Sequence, residues 1–208
     1  MPELRNETKV GLLMALKDFT EETVKGLLLP VKRQKQDERE PPARPAAVYL
    51  ARLPDMSSFD RKAPFILHQV VTGADAIGNA AKGSGREQRP ELQSEAVIRT
   101  VFCVYDRDEQ EGALALLNLM ELLRVELLSY PILGQLFTLD LREGIDQMIY
   151  PETGERGTAP FCLGEMVTTW ELPPVTRQDA ALLIQGKRAD GRSNAGLGGR
   201  IPMTDPNI

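Results

Sequence analysis

The chain has 208 residues, 42% of them hydrophobic and 26% charged, with a formal net charge of −5. That balance is the ordinary one for a globular domain that buries a core. The longest apolar runs, Leu27 to Val31 and Ala113 to Leu117, fall far short of the ~20 residues of a membrane-spanning helix. The start, Met1-Pro2-Glu3-Leu4-Arg5-Asn6-Glu7, has no charged region followed by an apolar one, so no secretory signal is read there and an intracellular site of synthesis is expected.

The first helix is expected from Asn6 or Thr8 to about Leu28. Val10, Leu13, Leu16 or Lys17, Thr20, Val24 and Leu27 recur at three- and four-residue steps, and Leu12, Phe19 and Thr23 widen that stripe. Asn6 is the candidate N-cap and Pro30 the stop. Residues 32–46 mix both charge signs with three prolines and read as an extended, mobile linker. The first strand is Ala47 to Leu53, closed by Pro54-Asp55, and the second is Pro64 to Thr72. Both faces of the second strand are partly apolar, as in an inner strand covered by helices on one side and by another subunit on the other. His68, on that strand, has no neighbouring Ser, Cys or carboxylate in sequence and reads as a structural or interface histidine.

Residues 73–93 are Gly-bearing and long for a loop, and they join two strands that should pair, so an extended hairpin is expected. Gly83-Ser84-Gly85-Arg86-Glu87-Gln88 starts like a dinucleotide fingerprint, but Gln88 replaces the third glycine and no strand-to-helix context surrounds it. The third strand runs from Glu95 to Tyr105, with Ile98, Phe102 and Val104 on one face and Val97, Val101 and Cys103 on the other. Asp108, followed three residues later by Glu111, caps a second helix that runs to Leu128. Its buried stripe is expected to be Ala113, Leu116, Leu117, Met120, Leu123 and Leu127. Leu119 and Leu122 make the helix apolar nearly all round, which implies a second packing partner.

A short strand, Leu136 to Leu141, a turn at Gly144 and a short segment, Ile145 to Tyr150, come next. The closing strand, Phe161 to Leu172, carries Met166, Trp170 and Leu172 on one face and ends at Pro173-Pro174. The expected fold is an α/β sandwich: a mainly antiparallel sheet of about four strands with the two long helices on one face. It spans residues 1–174. Residues 175–208, Gly-, Arg- and Asn-rich apart from a short helical stretch at Gln178 to Gln185, read as a flexible C-terminal arm that orders on a partner.

The chemistry-bearing patterns are sparse. The sequence has no phosphate-binding Gly-Lys-Ser/Thr loop, no His-Glu-x-x-His and no Gly-x-Ser-x-Gly. Cys103 and Cys162 lie in strands and read as reduced, buried thiols; with the single His68 they have no metal-ligand spacing. Asp106 and Asp108 are explained by helix capping, the alternative being a carboxylate-bound divalent ion. No catalytic, cofactor-binding or metal residue is therefore assigned, no cofactor is required, and the chain is read as a non-enzyme. Residues 95–172 hold fourteen Asp/Glu against five Arg, a net of −9. Such a segment suits a solvated surface, a dock for a basic partner, or a passage that must not hold DNA.

One resemblance organises these features. A strand, the helix start Glu109-Gln110-Glu111-Gly112, the helical Asn118-Leu119-Met120-Glu121, and a closing strand ending Thr168-Thr169-Trp170-Glu171-Leu172-Pro173 follow in that order. In this the chain resembles the tail terminator (tail completion) proteins of long-tailed bacteriophages, over most of residues 8–174. The resemblance implies the same α/β layout and a homohexameric ring at the head-proximal end of the virion tail, assembled in the host cytoplasm. It also implies a tail tube protein below the ring and a head–tail connector or neck protein above, with DNA passing through unbound and no membrane involved. The charged linker and the long arm depart from a minimal family member and leave open which neighbours they touch. A head-completion or adaptor protein on the portal side is the rival reading, and a non-viral small-ligand domain a weaker one.

Overall fold

The computed structural model describes residues 7–32, 41–54, 62–77, 92–150 and 160–173. The arm 175–208, residues 78–91 of the long loop and residues 33–40 of the linker lie outside the described residues. The element order is α1 (Lys9–Val24), β1 (Ala47–Leu50), β2 (Phe65–Ile77), β3 (Leu92–Tyr105), α2 (Glu109–Ser129), β4 (Ile132–Leu133), β5 (Phe137–Leu139), β6 (Ile145–Ile149) and β7 (Phe161–Leu172).

The mixed α/β class holds, but the sheet has seven strands among the described residues rather than about four. Its order is β1-β2-β3-β7-β5-β4, with β6 also paired to β7. The three extra strands are short pieces of the 132–150 segment. β5 and β6 share the edge of β7 that β3 leaves open, β6 against Gly164 to Thr168 and β5 against Trp170 and Glu171, and β4 pairs with β5. β1 is parallel to β2, and all other pairs are antiparallel.

Several boundaries move, each for a physical reason. α1 stops at Val24 rather than Leu28: a Lys25-Gly26 turn follows, and Leu29 then exchanges backbone hydrogen bonds with Arg44 at 2.9 and 3.0 Å. β1 stops at Leu50 rather than Leu53, because Ala51 takes a left-handed conformation (φ 58°) that ends the pleat. Thr8, not Asn6, is the N-cap residue, without a side-chain cap bond. β2 and β3 reach well into the expected loop: Thr72 to Ile77 pair with Val97 back to Leu92, so that the loop begins as the arms of a hairpin. Gly73, Ala74 and Ala76 carry a weak strand signal of their own, and long-range pairing overrides it.

Both helices lie on one face of the sheet, α1 over β1 and β2, α2 over β3 and β7. Even-numbered residues of β3 and β7 point to them: Ala96, Ile98, Phe102 and Val104, and Cys162, Met166 and Trp170, are buried there with Leu12, Leu16, Leu116 and Leu123. α2 begins where expected, Asp108 accepting from the backbone N–H of Gln110 (2.9 Å) and Glu111 (3.2 Å). Its rotation differs from expectation. Leu119 is buried, whereas Ala113 and Leu117 face outward. Two glycines set that rotation: a Cβ on Gly112 would come within 2.8 Å of Cys162 Sγ, and one on Gly164 within 2.6 Å of Met120 Sδ. The absent side chains let α2 settle directly on β7.

A second, smaller cluster covers one end of the opposite face, where Leu53 and Ala63 close over Phe65, Leu67, Cys103, Tyr105 and Phe161. Cys103 and Cys162 are thus buried thiols on opposite faces of the sheet. No helix among the described residues is long and apolar enough to cross a membrane.

Candidate functional site

The rest of that second face carries no helix among the described residues. Register places Glu95, Val97, Arg99 and Val101 of β3 beside Glu171, Thr169, Val167 and Glu165 of β7, with Asp146 of β6 next to Val167. Part of the acidic excess of residues 95–172 is therefore gathered on this open face, and another part at the α2 N-terminus, where Asp106, Asp108, Glu109 and Glu111 complement the helix dipole.

Two arginine-centred clusters hold the open face. Arg99 donates from Nε to Glu165 Oε2 (2.6 Å) and from its terminal nitrogen to Tyr150 Oη (3.1 Å), and Tyr150 donates to the same carboxylate oxygen (2.6 Å). The Tyr150 hydroxyl and the Arg99 guanidinium hold Glu165 below the usual carboxylate range, and donation to Glu165 pushes the Tyr150 phenol up. A phenol harder to ionise and a guanidinium already matched make poor catalysts; this triad pins the end of β6 to β7 and β3. In the second cluster Arg142 spans Asp140 (2.9 Å) and Glu171 (3.1 Å), and the Arg142 side chain and backbone N–H hold Asp140 low. Each arginine lies beside carboxylates, so neither presents an unmatched cation to phosphate.

His68 is fully buried between α1 and the sheet. Its Nε2 lies 3.0 Å from Thr20 Oγ1, and its Nδ1 lies 2.9 Å from Thr100 Oγ1. Thr20 has one hydroxyl proton and gives it to Leu16 O at 2.7 Å, so it accepts from Nε2–H. Thr100 then donates to Nδ1. The ring is a neutral Nε2–H tautomer tying helix to sheet, a role that sequence spacing gave no means to see. It is a structural histidine, without any carboxylate or thiol in hydrogen-bonding range among the described residues.

The Asp106–Asp108 pair is satisfied internally: Asp106 Oδ1 accepts from Asp108 N–H (3.0 Å), and Asp108 caps α2. No group of three potential metal ligands occurs among the described residues. A cleft of about 370 Å³ opens beside β2 where β1 stops, lined by Leu13, Ala51, Gln69, Val70, Val71 and Arg99. Its lining is largely apolar and its single cation is already engaged by Glu165, which suits an apolar side chain or a strand better than an anionic ligand. No protein-family model matches this chain, and no curated protein matches it.

Proposed function

We propose that the chain is a tail terminator, a structural virion protein. In this reading a homohexameric ring caps the head-proximal end of a tail tube, stops tube polymerisation and offers the docking face for a head or neck protein. The observation that carries the reading is the unit from β3 through α2 to β7. The residues that carry the resemblance have defined places in it: Glu109 to Gly112 open α2 and let it approach β7, and Thr168 to Leu172 finish the sheet with Trp170 in the core. The work is steric and adhesive, needing neither cofactor nor catalytic residue. The open acidic face of the sheet supports a passage through which DNA slides without being held.

The direct test combines the purified chain with its tail tube protein under electron microscopy. Tubes of arrested length with a cap at one end are the expected result; decoration along the tube wall, or no binding, would reject termination. A twelve-fold ring that binds a portal would favour the head-completion reading. The passage is tested separately by duplex DNA retardation at ~0.15 M salt, where no shift is expected. Tight, salt-sensitive binding would overturn it.

A further inference from the structure

Among the described residues the two lateral flanks of this helix-on-sheet fold are both open, and both carry exposed apolar side chains. On one side β1 covers only Phe65 to His68 of β2. Beyond that point no described strand pairs with this edge, which runs on to Ile77 beside the cleft. A register shift between Val70 and Thr72 leaves Val71, 59% exposed, outside the regular ladder. α1 presents Val10, Met14 and Lys17 along the same flank as the cleft-lining Leu13. On the other side, among the described residues, β6 pairs only with β7, and it carries exposed Met148 and Ile149. Above it, Leu114, Leu117, Glu121, Val125 and Leu128 recur on α2 at three- and four-residue steps, as a second apolar stripe opposite the buried one. Arg124 and, to a smaller extent, Gln147 of β6 hold the Glu121 carboxyl below its ordinary pKa, which places Glu121 of the stripe beside β6.

We infer that copies of this chain join head to tail, the α1–β2 flank of one against the α2–β6 flank of the next. The inference rests on the ring reading above only for the partner being a second copy. Strand direction fits. From β2 through β3 and β7 to β6 every pairing is antiparallel, so β2 and β6 run in opposite directions. A copy displaced sideways with its helices on the same side therefore brings β6 antiparallel to the free length of β2. Because β1 occupies the first part of β2, the next copy is also displaced along the strand, the stagger that closing a sheet into a ring requires. Charge fits as well. Each flank holds one ion pair within its apolar surround, Lys17 with Glu21 at 3.5 Å and Glu121 with Arg124 at 2.7 Å. Crosswise exchange, Lys17 to the next copy's Glu121 and Glu21 to its Arg124, leaves every charge matched. The contact is heterologous, so repeating it gives the ring of the reading above when the rotation between neighbours closes.

The test uses Val71→Lys and Leu117→Lys, both at exposed positions, with unfolding curves checked against the parent chain. In sedimentation velocity the concentrated parent chain is expected as a multi-chain ring, and each variant alone as a single chain. Mixed together they are expected to form a species of two chains and no larger, since each supplies the flank the other lacks. A parent chain that stays monomeric, variants that still form rings, or a mixture that gives no two-chain species would each overturn the inference. Its failure is distinguishable from failure of the termination reading. Rings that need both flanks but never cap tubes sink termination alone, and capped tubes indifferent to both substitutions sink the interface alone.

Discussion

Trp170→Ala is expected to cost roughly 3–5 kcal/mol, a large part of the ~5–15 kcal/mol that holds a domain folded, and to shift expression toward insoluble protein. Trp170 is fully buried on the helix side of β7. Register sets Ala96 of β3 on one side of it and Leu139 of β5 on the other. The small Ala96 leaves room for the indole, whose Nε1–H donates to Thr168 Oγ1 at 2.9 Å. Truncation would leave a cavity where β3, β5 and β7 meet, and an unanswered Thr168 hydroxyl. Trp170→Phe keeps most of the volume and should lose about half as much. Urea unfolding followed by circular dichroism measures both, with an unchanged slope expected. A soluble Trp170→Ala chain of parental midpoint would show that the indole carries no core packing, contrary to its burial.

Much of this core could be read in the sequence, because long periodic segments declare themselves. The closing strand, with Met166 and Trp170 on one face, lies where alternation places it, and the Asp108 cap opens α2 as its side chain dictates. What escaped was set by groups distant in sequence or lacking a side chain. The rotation of α2 depends on Gly112 and Gly164, which carry no hydrophobic signal and act by what they omit. Thr20, His68 and Thr100 meet across separations of 48 and 32 residues, and the Arg99–Tyr150–Glu165 triad across 51 and 66. Both are products of strand register, which no local pattern encodes. The short strands β5 and β6 fall within the short strand and segment expected at Leu136 to Leu141 and Ile145 to Tyr150, but their sharing of one edge of β7, with β4 paired to β5 beyond, is a property of the assembled sheet. That α2 is apolar on more than one side is legible in its sequence, but which residues form the outer side is not: Leu119 is buried, and the outward stripe runs through Leu114, Leu117, Val125 and Leu128.

Stability is expected to fall as pH drops below about 6.5, through His68. Burial lowers its pKa from 6.5 to about 3. The native ring thus stays neutral over a range in which the unfolded chain, with its histidine in water, takes up a proton. The unfolded state binds more protons throughout that window, so stability rises with pH inside it. The contribution is fully present above pH 6.5 and is lost as pH falls toward 3, at about 1.4 kcal/mol per pH unit, or about 5 kcal/mol over the whole window. The geometry explains the resistance to protonation: Thr20 is committed to Leu16 O and already accepts from Nε2–H, and the ring lies wholly out of water, so a charged imidazolium would meet only two hydroxyls. Glu165 and Asp140, whose pKa values are lowered by their partners, also weaken the fold in acid, but only below their ordinary range near pH 4. Between pH 6.5 and about 4.5 the slope therefore belongs to His68, the only histidine in the chain. Urea midpoints measured at half-unit steps over that interval test this, with His68→Gln as the control. The parent chain should lose about 2–3 kcal/mol across it, while His68→Gln should start less stable and stay flat. An equal slope in both proteins would show that the acid sensitivity arises elsewhere and that the buried imidazole does not pin α1 to the sheet as a neutral base.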